Sequence, residues 1–271
     1  MARITDPAYL RQEQYKTPAN LSARAGLHER FSTAPGSWQL WVMEQLALKP
    51  GERVLEAGGG PGWLWRENRD RLPAALRVCF GDFSLGMLEA ARAGLNGLSG
   101  FVFANLDAQH LPLPDGVFDL VIANHMLYHV PDLPRAVGEL ARVLRPGGRL
   151  FAATNGWKHM RELDALLHQF DGRYPEPDTR AAAFNYRLEN AADWLNAAFA
   201  RVEVRRRPDA LWVTDARALV DYAQSMSRTA AHLEGARAAE LARFFQDRID
   251  AEADGGIHIT KDAGVVLAWA N

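Results

Sequence analysis

The chain has 271 residues, 48% of them hydrophobic and 24% charged, with a formal net charge of -2. That length suits one large domain or a core with an added cap, and the charge balance excludes the overall basic character that draws a protein to nucleic acid or anionic lipid. The single cysteine, Cys79, cannot close an intrachain disulfide, the opening residues lack a signal-peptide core, and no apolar run nears the roughly 18 residues of a membrane span, so the expectation is a cytoplasmic protein.

Residues 1–50 read as polar and helical, with candidate helices at 8–15, 21–31 and 38–46. Trp38, Leu40, Trp41, Met43 and Leu46 form an apolar stripe of helical spacing, and Pro50-Gly51 ends it. The next hundred residues alternate. Strands are predicted at 53–57, 76–80, 101–104, 118–123 and 149–154. Helices are predicted over about ten residues after the first strand, at 85–93 and at 133–143, the last stopped by Arg145-Pro146-Gly147-Gly148. Regular alternation argues for a parallel sheet with helices on both faces. After Asn155 the pattern changes. Helices are expected at 159–170, 188–199, 216–227 and 232–253, with strands at 202–206, 211–214 and 257–269, and Pro175, Pro177 and Asp178 mark a loop. The late strands are expected to complete the sheet edge. Three segments follow: an N-terminal helical lid (1–48), a core (49–155), and a stretch (156–271) with inserted cap helices, all within one compact domain.

The most informative stretch is Val54-Leu55-Glu56-Ala57-Gly58-Gly59-Gly60-Pro61-Gly62. Glycines directly after a first strand let the backbone turn tightly and approach a ligand. The dinucleotide fingerprint G-x-G-x-x-G fails at its third position, where Trp63 stands, and there is no Gly-Lys-Ser/Thr ending of a phosphate loop. The spacing is G-x-G-x-G with an acid two residues before it. A tight turn with no ligand is the plain alternative. Asp82, where the second strand meets its helix, can accept two hydrogen bonds from a vicinal diol, or cap that helix. Asp107, after the third strand, can accept from an exocyclic amine between apolar neighbours, or serve as a turn residue.

Glu56-x-Gly58-x-Gly60-x-Gly62, Asp82-x-Ser84-x-x-Met87-Leu88, Asp107-Ala108, the run Phe118 to Val130 and Arg142-Val143-Leu144-Arg145-Pro146-Gly147-Gly148 resemble, in order, the motifs of class I S-adenosylmethionine-dependent methyltransferases. The likeness is to the small-molecule branch that includes ubiquinone/menaquinone methyltransferases, and it covers roughly residues 50–155. The sequence departs from the pattern at Gly59, where many members carry cysteine, and at Trp63. The resemblance implies an α/β, Rossmann-like fold: a doubly wound, mostly parallel seven-stranded sheet with its last strand antiparallel, plus a helical cap. It implies S-adenosylmethionine as cofactor and S-adenosylhomocysteine as product. It places Glu56, Gly58, Gly59, Gly60, Gly62, Asp82, Phe83, Met87, Leu106, Asp107, Ala108, Asn124 and His125 against the cofactor.

The donor's methyl is already activated, so the protein mainly aligns nucleophile, methyl and sulfur and excludes water. Candidate bases are His125, Tyr128, His129 and His159, with His125 nearest the strand end and His129 also readable as a structural histidine. His125 and His129 lie four apart, but without the glutamate of H-E-x-x-H or a third ligand no metal is expected. Tyr15 or Arg24 can hold the methionine carboxylate as the N-terminal helix closes. The acceptor pocket is expected between the N-terminal helices, residues 125–129 and the inserted helices, with Trp157, His159 and Met160 contributing. The expected partner is a small-molecule acceptor. Nucleic acid is disfavoured: Asn124 is followed by His125-Met126, not by Pro-Pro-aromatic, and Cys79 is not in a Pro-Cys. Arg201, Arg205, Arg206 and Arg207 read as a solvated edge. A nicotinamide oxidoreductase and a non-enzymatic cofactor-binding protein remain as alternatives.

Overall fold

The computed structural model describes residues 2–176, 185–226 and 229–271; Pro177 and Asp178 lie outside them. Five strands follow the alternating pattern: β1 (Arg53–Ala57), β2 (Arg77–Asp82), β3 (Phe101–Asn105), β4 (Phe118–Ile122) and β5 (Leu144–Asn155). With β6 (Arg201–Arg207) and β9 (Ala263–Trp269) they form a seven-stranded sheet of order β3-β2-β1-β4-β5-β9-β6. All pairings among β1 to β5 are parallel, and β9 runs antiparallel to both neighbours. The strand order reverses between β1 and β4, which places a ligand crevice beyond the carboxyl ends of those strands.

Both faces are buried, with side chains alternating at the period of two that strands impose. Leu55, Ala57, Val121, Leu150, Ala152, Val266 and Ala268 pack on one face with α6 (Leu133–Arg142) and the short helix Ala191–Leu195. Val54, Val78, Phe80, Leu120, Ile122, Phe151 and Val265 pack on the other, under α3 (Trp38–Leu46), α4 (Trp63–Glu67) and α5 (Leu85–Gly94). A third core holds the cap together. It joins Leu27 of α2 (Ala19–Phe31) to α7 (Arg161–Phe170), to the helices Ala216–Ser225 and Ala236–Ala251, and to the two-stranded sheet of β7 (Ala210–Val213) and β8 (Ile257–Thr260).

Several expectations need correction. The helix after β1 is half the expected length. The Asn68 side chain donates to the Leu64 carbonyl at 2.8 Å, competing with the helix ladder, and only a 3-10 turn at Arg69–Arg71 follows. The Pro146-Gly147-Gly148 stop lies within β5, as a register shift against β4. The terminal apolar run is two strands, broken at Lys261 and Asp262. β6 and β9 complete the sheet, but β7 and β8 belong to the cap. Helix 188–199 contracts to five residues, and 232–253 begins as a 3-10 turn before its long helix. The arginines of β6 are largely paired, Arg201 and Arg205 with Glu203 and Arg206 with Glu189 and Asp262, while Arg207 is buried and donates to the carbonyls of Pro35 and Gly36.

Candidate cofactor and acceptor site

A cavity of about 380 Å³ lies at the reversal point. Its floor is the turn after β1. Gly58 and Gly60 take left-handed φ values of 72° and 59°, which a side chain resists. A Cβ on Gly59 would sit 2.4 Å from the Phe80 ring, so backbone rather than side chains faces the cavity here. Gly62 opens α4 and packs on Leu95, away from the cavity wall.

Asp82 ends β2 and ties the first two turns together. Gly60 N–H donates to its Oδ2 and Ser84 N–H to its Oδ1, each at 2.8 Å. Burial pushes its pKa up to about 6 despite those bonds. Glu56, fully buried in β1, is pushed up to about 7 by burial, against the Trp65 indole, which donates to its Oε2 at 2.5 Å. Asp107 accepts from its own turn, Gln109 N–H at 2.9 Å, and borders the cavity beside Leu106 and Ala108. Met87 is buried beneath the cavity, and the Phe83 ring lies under Arg11 at 4.6 Å.

The exit from β4 brings Asn124 and His125 to the wall. His125 takes φ 52°, uncommon for a residue with a side chain, and its N–H donates to Ala153 O at 2.9 Å. Its ring lies 5.4 Å from that of Trp38. Burial, then the charges of Lys261 and Arg24, hold its pKa down to about 4, so the imidazole is neutral. His129 is not placed to act as a free base. Its Nδ1 lies 2.8 Å from the Ile4 carbonyl and its Nε2 2.8 Å from the Tyr15 hydroxyl. A carbonyl only accepts, so Nδ1 carries the proton and Nε2 accepts from Tyr15. The same N-terminal segment is pinned where Ser84 Oγ donates to Tyr15 O at 2.7 Å.

The cap side adds residues that the sequence reading did not single out: His28, Tyr222 and Lys261, with Trp38 as a neighbour of His125. His28 stacks on His159 with centroids 5.8 Å apart and meets Tyr222 edge-on at 5.8 Å. Burial, then Lys261, lowers its pKa to about 3. A signal for it existed: Leu21, Arg24, Ala25 and His28 repeat at helical spacing, and all four border the cavity. Of the residues expected after β5, His159 lines the cavity. Met160 is buried in the cap core, and Trp157 lies outside beneath Arg187. Among the described residues no group of three His, Cys, Asp or Glu is placed to hold a metal ion, and no helix is long and apolar enough to cross a membrane.

Against known proteins, the family described as "Methyltransferase domain" matches residues 55–152. A ubiquinone/menaquinone biosynthesis C-methyltransferase of Xanthomonas oryzae is 35% identical over 116 residues, 42% of this chain and 46% of that protein. A malonyl-[acyl-carrier protein] O-methyltransferase of Serratia marcescens is 34% identical over 181 residues, 59% of this chain and 66% of that protein. The chain thus spans about half to two thirds of the curated relatives it matches. Among solved structures, phosphoethanolamine N-methyltransferase 2 of Haemonchus contortus, in complex with S-adenosyl-L-methionine, aligns over 100% of this chain and 60% of its own, with TM-score 0.60 and 18% identity. The YcgJ protein of Bacillus subtilis aligns over 86% and 98%, with TM-score 0.58 and 18% identity. Residues 55–152 thus match the methyltransferase domain family, and the curated relatives that share this stretch are C- and O-methyltransferases by name.

Proposed function

We propose that the chain transfers a methyl group from S-adenosylmethionine to a small-molecule acceptor by in-line displacement. The observation that supports this best is a single cavity whose two halves differ. One is floored by the glycine turn and bordered by Glu56, Asp82 and Asp107; the other is walled by the histidines, Tyr222 and Lys261. When bound, S-adenosylmethionine supplies a methyl already activated on a sulfonium. Asp82 presents a carboxylate to the ribose diol. Asp107, with Leu106, Ala108 and Phe83, receives the adenine. Tyr15, pinned to Ser84, closes that end and excludes water. The neutral His125, held in a strained backbone conformation at the wall, can accept a proton from an acceptor hydroxyl. His129 acts as a post for the N-terminal segment.

Calorimetric titration tests the reading: S-adenosylmethionine and S-adenosylhomocysteine are expected to bind and NAD not to. Micromolar NAD binding with no response to either sulfur nucleotide would overturn it. A second reading, a cofactor-binding protein that transfers no methyl, draws on the shared fold. Transfer of labelled methyl to a fractionated metabolite extract separates the two. With an acceptor in hand, His125→Ala is expected to lower turnover by about a hundred-fold at nearly unchanged cofactor affinity. Full turnover in that variant would remove His125 as the base.

A further inference from the structure

The cavity is divided by charge. Its buried acids, Glu56 and Asp82, and Asp107 beside them, stand at the ends of β1, β2 and β3. Its basic side chains come from other elements: Arg24 and His28 from α2, His125 after β4, His159 after β5, and Lys261 at the corner between β8 and β9. Glu29 and Glu67 also border the cavity, but both are exposed at its rim.

Within the basic half the charges do not balance. Lys261 is matched by Asp209 at 2.6 Å, and both are buried. Arg24 has no ion-pair partner among the described residues. Its Nε donates to Asn20 O at 3.2 Å, while its Nη2 is closed off from solvent without a hydrogen-bond partner. His28 Nδ1 is in the same state. The guanidinium has a side-chain hydrogen bond with Tyr15 and lies 5.7 Å from that ring, the phenols of Tyr128 and Tyr222 also bear on it, and its charge bears on His28, His125 and His129. Burial keeps those histidines neutral, and Arg24 stands among them as a positive charge without an ion-pair partner among the described residues. A buried guanidinium without a counter-ion is costly, and a planar anionic oxygen group is the ligand its fork fits. An amine acceptor would meet repulsion in the same place.

We propose that this basic half is the acceptor subsite, and that it takes a small molecule carrying an anionic oxygen group, a carboxylate or a phenolate, received by Arg24 with His28 beside it. The inference deepens the methyltransferase reading and rests on it. It also moves Arg24 from the cofactor carboxylate, for which the sequence offered Tyr15 or Arg24, to the acceptor.

The test uses the full chain saturated with S-adenosylhomocysteine, titrated by ligand-observed NMR with benzoate, 4-nitrophenolate, benzamide and benzylamine. At least one anion is expected to bind roughly ten-fold more tightly than benzamide, and Arg24→Met to erase the preference. Benzoate alone identifies a carboxylate and 4-nitrophenolate alone a phenolate; either supports the proposal. Benzamide binding as well as both anions, or a preference for benzylamine, overturns it. So does an Arg24→Met variant that loses S-adenosylhomocysteine but keeps 5′-methylthioadenosine, which lacks the carboxylate. If Arg24→Met does not fold, His28→Gln is the second variant. It is expected to weaken the favoured anion several-fold and leave S-adenosylhomocysteine affinity in place; unchanged anion binding counts against the subsite. Failure of the wild type to bind S-adenosylhomocysteine sinks the methyltransferase reading and this proposal with it.

Discussion

Asp82 and Glu56 are two buried carboxyls beside one glycine turn, and burial raises both, to about 6 and about 7. An ionised Asp82 is the better acceptor for ribose hydroxyls, so affinity for S-adenosylhomocysteine is expected to weaken as pH falls through about 6. Fold stability moves the other way. Raised folded pKa values make the pair favour the folded state at low pH, and that contribution is lost as pH rises from the unfolded carboxyl value of about 4 toward 6 and 7. Asp82→Ala is expected to cost roughly ten- to a hundred-fold in affinity and to flatten the pH profile. Calorimetry across that range checks both; a wild-type dissociation constant independent of pH would remove Asp82 from the site. Asp82 and the glycines were legible in the sequence because each stands at the carboxyl end of its own strand. Tyr222 and Lys261 were not, because they reach the cavity only through packing between segments distant in the chain, and His28 was marked only by its helical spacing with Leu21, Arg24 and Ala25.

At the scale of elements, the N-terminal segment is fitted to α5 at one glycine. A Cβ on Gly86 would lie 2.0 Å from the Lys16 carbonyl oxygen. The same few residues carry the Tyr15 contacts with Ser84 and His129. Gly86→Ala is therefore expected to push the segment off α5, costing about 1–3 kcal/mol of stability and weakening S-adenosylhomocysteine binding. Gly138, exposed in the middle of α6 with nothing within 4 Å of an added Cβ, is the control. Gly138→Ala should stabilise by up to about 1 kcal/mol without touching affinity. Thermal melts and binding on both variants test the pair; equal behaviour would show that the N-terminal fit does not matter. The alternating elements were readable from period and punctuation. The split of the terminal strand was marked only by Lys261-Asp262 inside an apolar run. Both side chains have partners there, Asp209 for the lysine and Arg206 for the aspartate, so charge within the run signalled a corner.

In the whole molecule, the cavity lies between two bodies of packing: the sheet with its two faces, and the cap core. α2 belongs to the second through Leu27 and faces the cavity through Leu21, Arg24, Ala25 and His28. It packs on the helix Ala216–Ser225, which contributes Tyr222. The N-terminal segment meanwhile reaches the sheet side at Ser84 and His129. A ligand in the cavity touches both bodies, so it should resist their separation as one event. We expect residues 7–31 to behave as a lid: S-adenosylhomocysteine should slow amide exchange there and in the helix Ala216–Ser225 together, leaving β1 and β4 unchanged. At a hundred times the dissociation constant, linkage allows about 2.7 kcal/mol, or roughly a hundred-fold slower exchange through openings that release the ligand. Hydrogen exchange read by mass spectrometry, with and without S-adenosylhomocysteine, measures this. Equal protection in the two states would count against a lid. Protection confined to residues 7–31 would show that the N-terminal segment closes alone over a cap that is already fixed.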